Sequence, residues 1–309
     1  MAMRILVIGA GAVGGYFGGR LAESGRDVTF LVHSERADAL SKHGLRIVSP
    51  HGNTTIFPKV RVANEITSPY DLVLLSVKAY SLEAAMNDFA PAVGPGTMIL
   101  PVLNGMRHID LLTTRFGEDR VIGGVCIVAA EIDKDSRIVQ LSDVQKLAFG
   151  ERKGGSSQRM KILDETMQGA GFEARISGNI VHEMWEKWVQ LSCLGAVTCL
   201  MRGNIGEIEA IPGGAELALN MLGECSAISK ACGYAPSEAF FARVGTTITA
   251  RGSKLTSSMY RDLNKGDRVE VDQILGDLLE RGRKLGVDAP LLKAAFVNLR
   301  IYQARLAAK

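Results

Sequence analysis

Six residues near the start of the chain restrict its fold more than any others: Gly9-Ala10-Gly11-Ala12-Val13-Gly14. They follow Arg4–Ile8, which reads as a buried strand, and open Ala12–Ser24, which reads as a helix. Each glycine in such a turn meets a separate demand. Gly9 permits the tight bend, Gly11 lets the backbone approach a pyrophosphate, and Gly14 lets the helix pack close to the strand. The helix N-terminus then offers unpaired N–H groups and a partial positive charge to the phosphates. Gly9, Ala10, Gly11, Ala12, Val13 and Gly14 are therefore expected to bind a dinucleotide.

The alternation begun there continues. Asp27–Val32 reads as a strand and Glu35–His43 as a helix. Leu45–Ser49 and Thr54–Phe57 flank the turn residues His51, Gly52 and Asn53 and read as a hairpin. Strands are expected at Asp71–Val77, Thr97–Val102, Val121–Ala130, Ile138–Leu141 and Lys146–Phe149, with helices at Leu82–Phe89 and from Met106 to Phe116. Strands alternating with helices imply a parallel sheet with right-handed crossovers. The texture changes near Ile176–Gly178. Val181–Leu200 reads as a long apolar helix, and Glu216–Cys232 and Val269–Leu285 carry apolar residues at helical spacing. In the last of these Val271, Ile274, Leu275, Leu278 and Leu285 fall on one face. The expected class is α/β: an N-terminal Rossmann-type parallel-sheet domain over residues 1–177, then an all-helical substrate and catalytic domain over residues 178–309. Gly154-Gly155-Ser156-Ser157 reads as a surface turn of the first domain.

Composition narrows the function. A net charge of +3, with no dense Lys/Arg run, points away from nucleic acid and anionic membranes. The longest nearly apolar stretch, Leu191–Met201, is about half of what spans a bilayer. No basic leader precedes Ile5, so the expected compartment is the cytoplasm. Cys126, Cys193, Cys199, Cys225 and Cys232 lack metal-ligand spacing and read as buried, reduced thiols. A homodimer through the helical domain is compatible with its apolar content.

The far end of a dinucleotide is read at the tip of the second strand. That tip is Leu31-Val32-His33-Ser34-Glu35-Arg36, with no acid at Val32 or His33 to hold a ribose 2′-hydroxyl. His33, Ser34 and Arg36 suit a 2′-phosphate, since guanidinium matches phosphate geometry. The residues favour NADP(H), while Glu35 keeps NAD(H) open.

Further motifs appear in order along the chain: Ser76-Val77-Lys78-Ala79, Leu103-Asn104-Gly105-Met106, Met184-Trp185-Glu186-Lys187, Ser257-Ser258-Met259-Tyr260-Arg261-Asp262 and Glu270-Val271-Asp272. With the glycine turn, these give a chain that resembles the ketopantoate reductase (2-dehydropantoate 2-reductase) family along most of its length. The resemblance implies NADPH-dependent reduction of a 2-oxo acid to a 2-hydroxy acid, with ketopantoate to pantoate in pantothenate biosynthesis as the family reaction. It implies that Lys187 is the general acid, that Glu270 is a second catalytic residue touching both substrate and cofactor, and that Ser258 contacts substrate. Lys78 and Asn104 would lie where cofactor and substrate meet. The chemistry agrees, because a cation that donates a proton stabilises the charge growing on a ketone oxygen as hydride arrives. Structural roles stay open for the same residues: an ion pair of Lys187 with Glu183, a helix cap for Ser258, and loop caps for Lys78 and Asn104.

The match breaks at four places. Leu191 and Gly195 stand where the family carries asparagines one and two turns after the lysine. His33 stands in place of an arginine, and Leu275 in place of a downstream asparagine. Leu191 and Gly195 imply a larger, more apolar pocket, and so a bulkier or less polar 2-oxo acid. Two other readings remain: a different hydroxyacid dehydrogenase with a helical second domain, and a dinucleotide sensor without catalysis.

Overall fold

The structure is a computed structural model that describes residues 2–308. It divides into two compact units. One comprises the residues up to Leu103 together with His108–Val181, and the other comprises Asn104–Arg107 and the residues from His182 on.

The first unit runs β1 (Arg4–Ile8), α1 (Ala12–Glu23), β2 (Asp27–Leu31), α2 (Ser34–His43), β3 (Leu45–Val48), β4 (Thr54–Ile56), β5 (Lys59–Arg61), β6 (Leu72–Leu75), α3 (Leu82–Phe89), β7 (Met98–Pro101), α4 (Arg107–Phe116), β8 (Gly123–Ile132), β9 (Ile138–Gly150), α5 (Gln158–Met167) and β10 (Glu173–Ile176). Five strands form a parallel sheet in the order β5-β2-β1-β6-β7. Its central strands are covered on both faces, so Ile5, Leu6, Val7, Leu72, Val73, Leu74 and Leu75 are fully buried and the sequence runs apolar without alternation.

The remaining strands do not extend this sheet. They form a second, mixed sheet in the order β10-β9-β3-β4, with β8 antiparallel to β9. The expected hairpin is present in it as β3 and β4. The sequence pattern suggested one parallel sheet, and helix α1 shows why there are two. A Cβ on Gly18 would lie 2.8 Å from the Phe30 ring and 2.9 Å from Val7, in the parallel sheet. One on Gly19 would lie 2.8 Å from Ile47 and 2.9 Å from Leu45, in the second sheet. The helix is thin on two faces because a sheet packs on each.

Strand β9 is continuous, where the sequence showed two short strands. Its middle residues Leu141, Asp143 and Val144 are exposed, so the apolar signal lapses while the pairing with β8 continues past a bulge between Val128 and Ala130. The three-residue β5 and the strand β10 went unread because edge strands of Lys, Arg and Glu carry little apolar pattern. Helix α5 was also unread, although its cap lies in the expected turn: Ser157 Oγ accepts from the Met160 N–H at 3.4 Å.

That turn is closed by a charge. Glu151 accepts from Ser157 Oγ at 2.6 Å and from Arg159 Nε at 2.7 Å. The Arg159 hydrogen bond holds the Glu151 carboxyl below its ordinary pKa, against a smaller opposing effect of burial. A folded-state pKa below the unfolded one means that this stabilisation is complete above the unfolded value and vanishes as pH falls through the folded one. Glu151→Gln is expected to cost about 1.5–3 kcal/mol at neutral pH, the usual worth of hydrogen bonds to a charged group. The cost shrinks as pH falls through the lowered carboxyl pKa, and thermal unfolding followed against pH reads both.

The second unit is helical: α6 (Ile180–Met201), α7 (Ile205–Glu209), α8 (Gly214–Ala231), α9 (Glu238–Ile248), α10 (Ser258–Lys265), a π-turn (Asp272–Gly276), α11 (Asp277–Lys284) and α12 (Pro290–Ala307). Trp188, Val189, Cys193, Met221, Leu222, Cys225, Ile228, Leu278 and Leu299 make its core. Val271, Ile274, Leu275 and Leu278 are buried as expected, but Leu285 is 52% exposed. Leu285 is the C-cap of α11, one residue past the helix, whereas Leu278 and Gly282 within α11 stay buried. Four cysteines are buried and reduced, and Cys232 is half-buried rather than buried. Among the described residues no helix is long and apolar enough to cross a membrane.

Candidate functional site

In the first unit the glycine turn adopts the geometry its sequence requires. Gly9 has φ +88°, a left-handed conformation that favours glycine. A Cβ on Gly14 would lie 1.9 Å from Ser76 Oγ and 2.6 Å from the Gly9 carbonyl, so the helix and strand ends touch through backbone. Gly11, the N-cap of α1, is the opposite case: a Cβ there would meet nothing within 4 Å. The open space lies where the first-turn N–H groups of Ala12, Val13 and Gly14 lack helical acceptors. Ala10 is buried, and its carbonyl accepts from Arg36 Nη2 at 3.2 Å. A pyrophosphate fits this cradle.

Arg36 therefore folds from α2 onto the glycine turn. Burial lowers its pKa, and the nearby Arg46 charge lowers it further. Arg46, on β3, was missed from sequence because the hairpin gave no sign that it reaches the same region. His33 is the N-cap of α2 and exposed, as is Ser34. Lys78 is exposed at the start of a short 3-10 turn after β6.

In the second unit, Lys187 is half-buried on α6, and its flanking residues fix the helix rotation. Trp185 stacks on Tyr234 with ring centroids 5.0 Å apart. Glu186 accepts from the Ser237 N–H at 3.0 Å and from Ser237 Oγ at 2.7 Å, which anchors the cap of α9. Trp188 is fully buried, and its Nε1–H donates to the Ile274 carbonyl at 2.9 Å. Ser192 Oγ donates to the same carbonyl at 3.1 Å. That carbonyl belongs to the π-turn, which begins two residues after Glu270. Two donors on one face of α6 thus hold the segment that carries Glu270, itself half-buried. Trp185 and Trp188 are core residues, as the sequence indicated.

The π-turn holds another expected residue. Gln273, 6% exposed, donates from Nε2 to the Asn104 carbonyl at 3.1 Å. Its own carbonyl lies 2.7 Å from where a Gly105 Cβ would stand. The loop carrying Asn104 is therefore clipped to the π-turn. Sequence reading missed Gln273 because a single glutamine in an apolar stretch has no pattern to mark it.

Ser258 is the first residue of α10, and the cap is its neighbour Ser257, whose Oγ accepts from the Tyr260 N–H at 2.9 Å. The capping role thus falls to Ser257. The face two turns beyond Lys187 is apolar at Leu191 and Gly195, but it is not enlarged at Gly195. The Met259 methyl lies 2.6 Å from where a Gly195 Cβ would stand, so a thioether fills the space. Leu275 is fully buried in the helical core. The structure thus ties the carriers of Lys187, Glu270 and Asn104 to one another, and groups Arg36 with Gly9–Gly14.

Comparison with known proteins identifies the family of the fold. The family model for "Ketopantoate reductase PanE/ApbA" matches residues 5–154, and the model for its C-terminal part matches residues 179–303. The chain is 36% identical to uncharacterized oxidoreductase YkpB of Bacillus subtilis (strain 168) across 98% of this chain and 99% of that protein. The crystal structure of 2-dehydropantoate 2-reductase from Geobacter metallireducens GS-15 superposes with a TM-score of 0.88 at 26% identity, covering 96% of this chain and 99% of that one. A D-mandelate dehydrogenase solved with NADH and anilino(oxo)acetate shares the fold, with a TM-score of 0.89 at 20% identity over 99% and 100% of the two chains. The chain belongs to the ketopantoate reductase family and is an oxidoreductase of that family.

Proposed function

We propose that this protein reduces a 2-oxo acid to the 2-hydroxy acid with NADPH, and that its substrate has a less polar side chain than ketopantoate. The observation that carries the reading is the bracing of α6, which presents Lys187, against the π-turn that follows Glu270 and holds the Asn104 loop. Bracing of this kind keeps proton donor and substrate contacts in fixed geometry, which supplies much of an active site's effect.

Gly9–Gly14 hold the pyrophosphate, and Lys78 and Asn104 contact the bound dinucleotide. Arg36, with Ser34 and His33, takes a ribose 2′-phosphate. Burial and, to a lesser degree, the Arg46 charge lower the Arg36 pKa, and a phosphate beside Arg36 offsets both, which supports NADPH over NADH. A bound reduced nicotinamide supplies a hydride to the ketone carbon. Lys187 stabilises the negative charge that develops on the ketone oxygen and donates a proton to it. Ser258 and Glu270 orient the acid.

Leu191, half-buried one turn beyond Lys187 on α6, gives the substrate's side chain an apolar neighbour, while buried Met259 fills the space over Gly195. A buried hydroxyl without a partner costs about 1–3 kcal/mol, or roughly 10- to 100-fold in kcat/KM. In NADPH oxidation assays, 4-methyl-2-oxopentanoate and phenylpyruvate are expected to exceed 2-dehydropantoate by such a factor. A preference for 2-dehydropantoate would remove the specificity claim, and no turnover of any of the three would remove the reductase reading. A D-mandelate dehydrogenase of the same fold was solved with NADH and anilino(oxo)acetate, which supports including an aryl-substituted acid in the assay.

A further inference from the structure

We propose that Thr198 is a positioning residue for the Ser258 hydroxyl, acting through Ser257. The inference rests on the role given to Ser258 above and adds to it a residue that no motif marked.

Thr198 and Ser257 are both polar and both buried, at 0% and 6% exposure. Thr198 Oγ1 donates to the Leu194 carbonyl at 2.6 Å, one turn back along α6. Its single proton is thereby used. The 2.9 Å contact of the two hydroxyl oxygens must then be a bond donated by Ser257. Ser257 in turn accepts from the Tyr260 N–H. The result is a directional chain: Tyr260 N–H to Ser257 hydroxyl to Thr198 hydroxyl to Leu194 carbonyl. The chain fixes the start of α10 on α6 through Thr198. The Cys199 thiol lies against the same two hydroxyls, and burial pushes its pKa up to about 12, so it adds no charge.

Neighbouring contacts act in the same direction. The Met259 methyl sits on Gly195, and the Tyr260 hydroxyl donates to the Arg202 carbonyl at 3.0 Å. Ser257 and Met259 thus dock on α6 at Thr198 and Gly195, and Tyr260 docks just past its end at Arg202. Ser258 is the exception in this turn. It is half-buried, and its hydroxyl hydrogen-bonds to none of the described residues. Three anchored neighbours hold one hydroxyl available to a ligand.

The test is steady-state kinetics of Thr198→Val, which keeps the shape of the side chain and removes its hydroxyl. With the best of the three 2-oxo acids above, KM is expected to rise about tenfold, the scale of one hydrogen bond. The turnover number and the NADPH dissociation constant stay within about twofold. Thr198→Ser restores KM. In a Ser258→Ala background, Thr198→Val adds no further rise, because the group it positions is gone. An unchanged KM in Thr198→Val, or the same tenfold rise in the Ser258→Ala background, would overturn the proposal. If Thr198→Val does not fold, Ser257→Gly breaks the chain from its other end while keeping a tolerated cap, with the same two outcomes. A Ser258→Ala enzyme with unchanged KM removes the role of Ser258, and the strut's purpose with it. A parent enzyme that turns over no 2-oxo acid removes the reductase reading instead.

Discussion

Lys187→Ala is expected to lower turnover by roughly 10²–10⁴, the usual contribution of acid–base catalysis, while the NADPH dissociation constant stays within about twofold. The two quantities separate because the dinucleotide is assigned to the first unit's glycine turn, whereas Lys187 is on α6 of the second. Folding should be unaffected. Lys187 is only half-buried, and the packing of α6 depends on Trp185, Glu186 and Trp188. Substitution of those neighbours should act differently: Trp188→Phe leaves the Ile274 carbonyl one donor short and lowers stability as well as rate. Fluorescence titration with NADPH and a rate assay on the same preparation give both numbers. A sensor without catalysis would bind NADPH and show no turnover before or after the change.

Gly11→Val and Gly14→Val should fail for opposite reasons. A side chain at position 11 enters open space, and the backbone at φ −80° accepts any residue. The variant should fold with an unchanged melting temperature and bind NADPH roughly 10- to 100-fold more weakly, because the pyrophosphate loses charge-assisted hydrogen bonds worth about 1.5–3 kcal/mol. A side chain at position 14 instead meets Ser76 and the Gly9 carbonyl. That variant should lose about 1–3 kcal/mol of stability from overpacking. Thermal melts paired with NADPH titrations distinguish the two. Equal destabilisation of both variants would show that the space beside Gly11 is not a ligand's.

Much of the parallel sheet was legible because its strands are buried on both faces and its turn glycines fall at diagnostic spacing. The second sheet was not. Gly15, Gly18 and Gly19 in α1 signal close packing on both sides, but a glycine in a helix does not name what approaches it. The helical unit was legible as helices. Its π-turn was hidden, because the apolar residues on either side of it, Ile274, Leu275 and Leu278, are all buried and leave no break in the pattern. Among the candidate site residues, the glycine turn carries its chemistry in its spacing, and Lys187, Ser258 and Glu270 are proposed from ordered motifs. Gln273, Thr198 and Arg46 were invisible because their roles depend on contacts at long sequence separation. Gln273, for example, bonds to a residue 169 positions away.

The central claim is that hydride reaches the ketone carbon of a 2-oxo acid while Lys187 protonates its oxygen. Single-turnover reaction with NADPH deuterated at the transferable position of the nicotinamide, followed by mass spectrometry of the product, tests it directly. The account predicts a 2-hydroxy acid carrying one deuterium at C2, formed by the parent enzyme and far more slowly by Lys187→Ala. Product without deuterium, or equal rates for the two proteins, would contradict it.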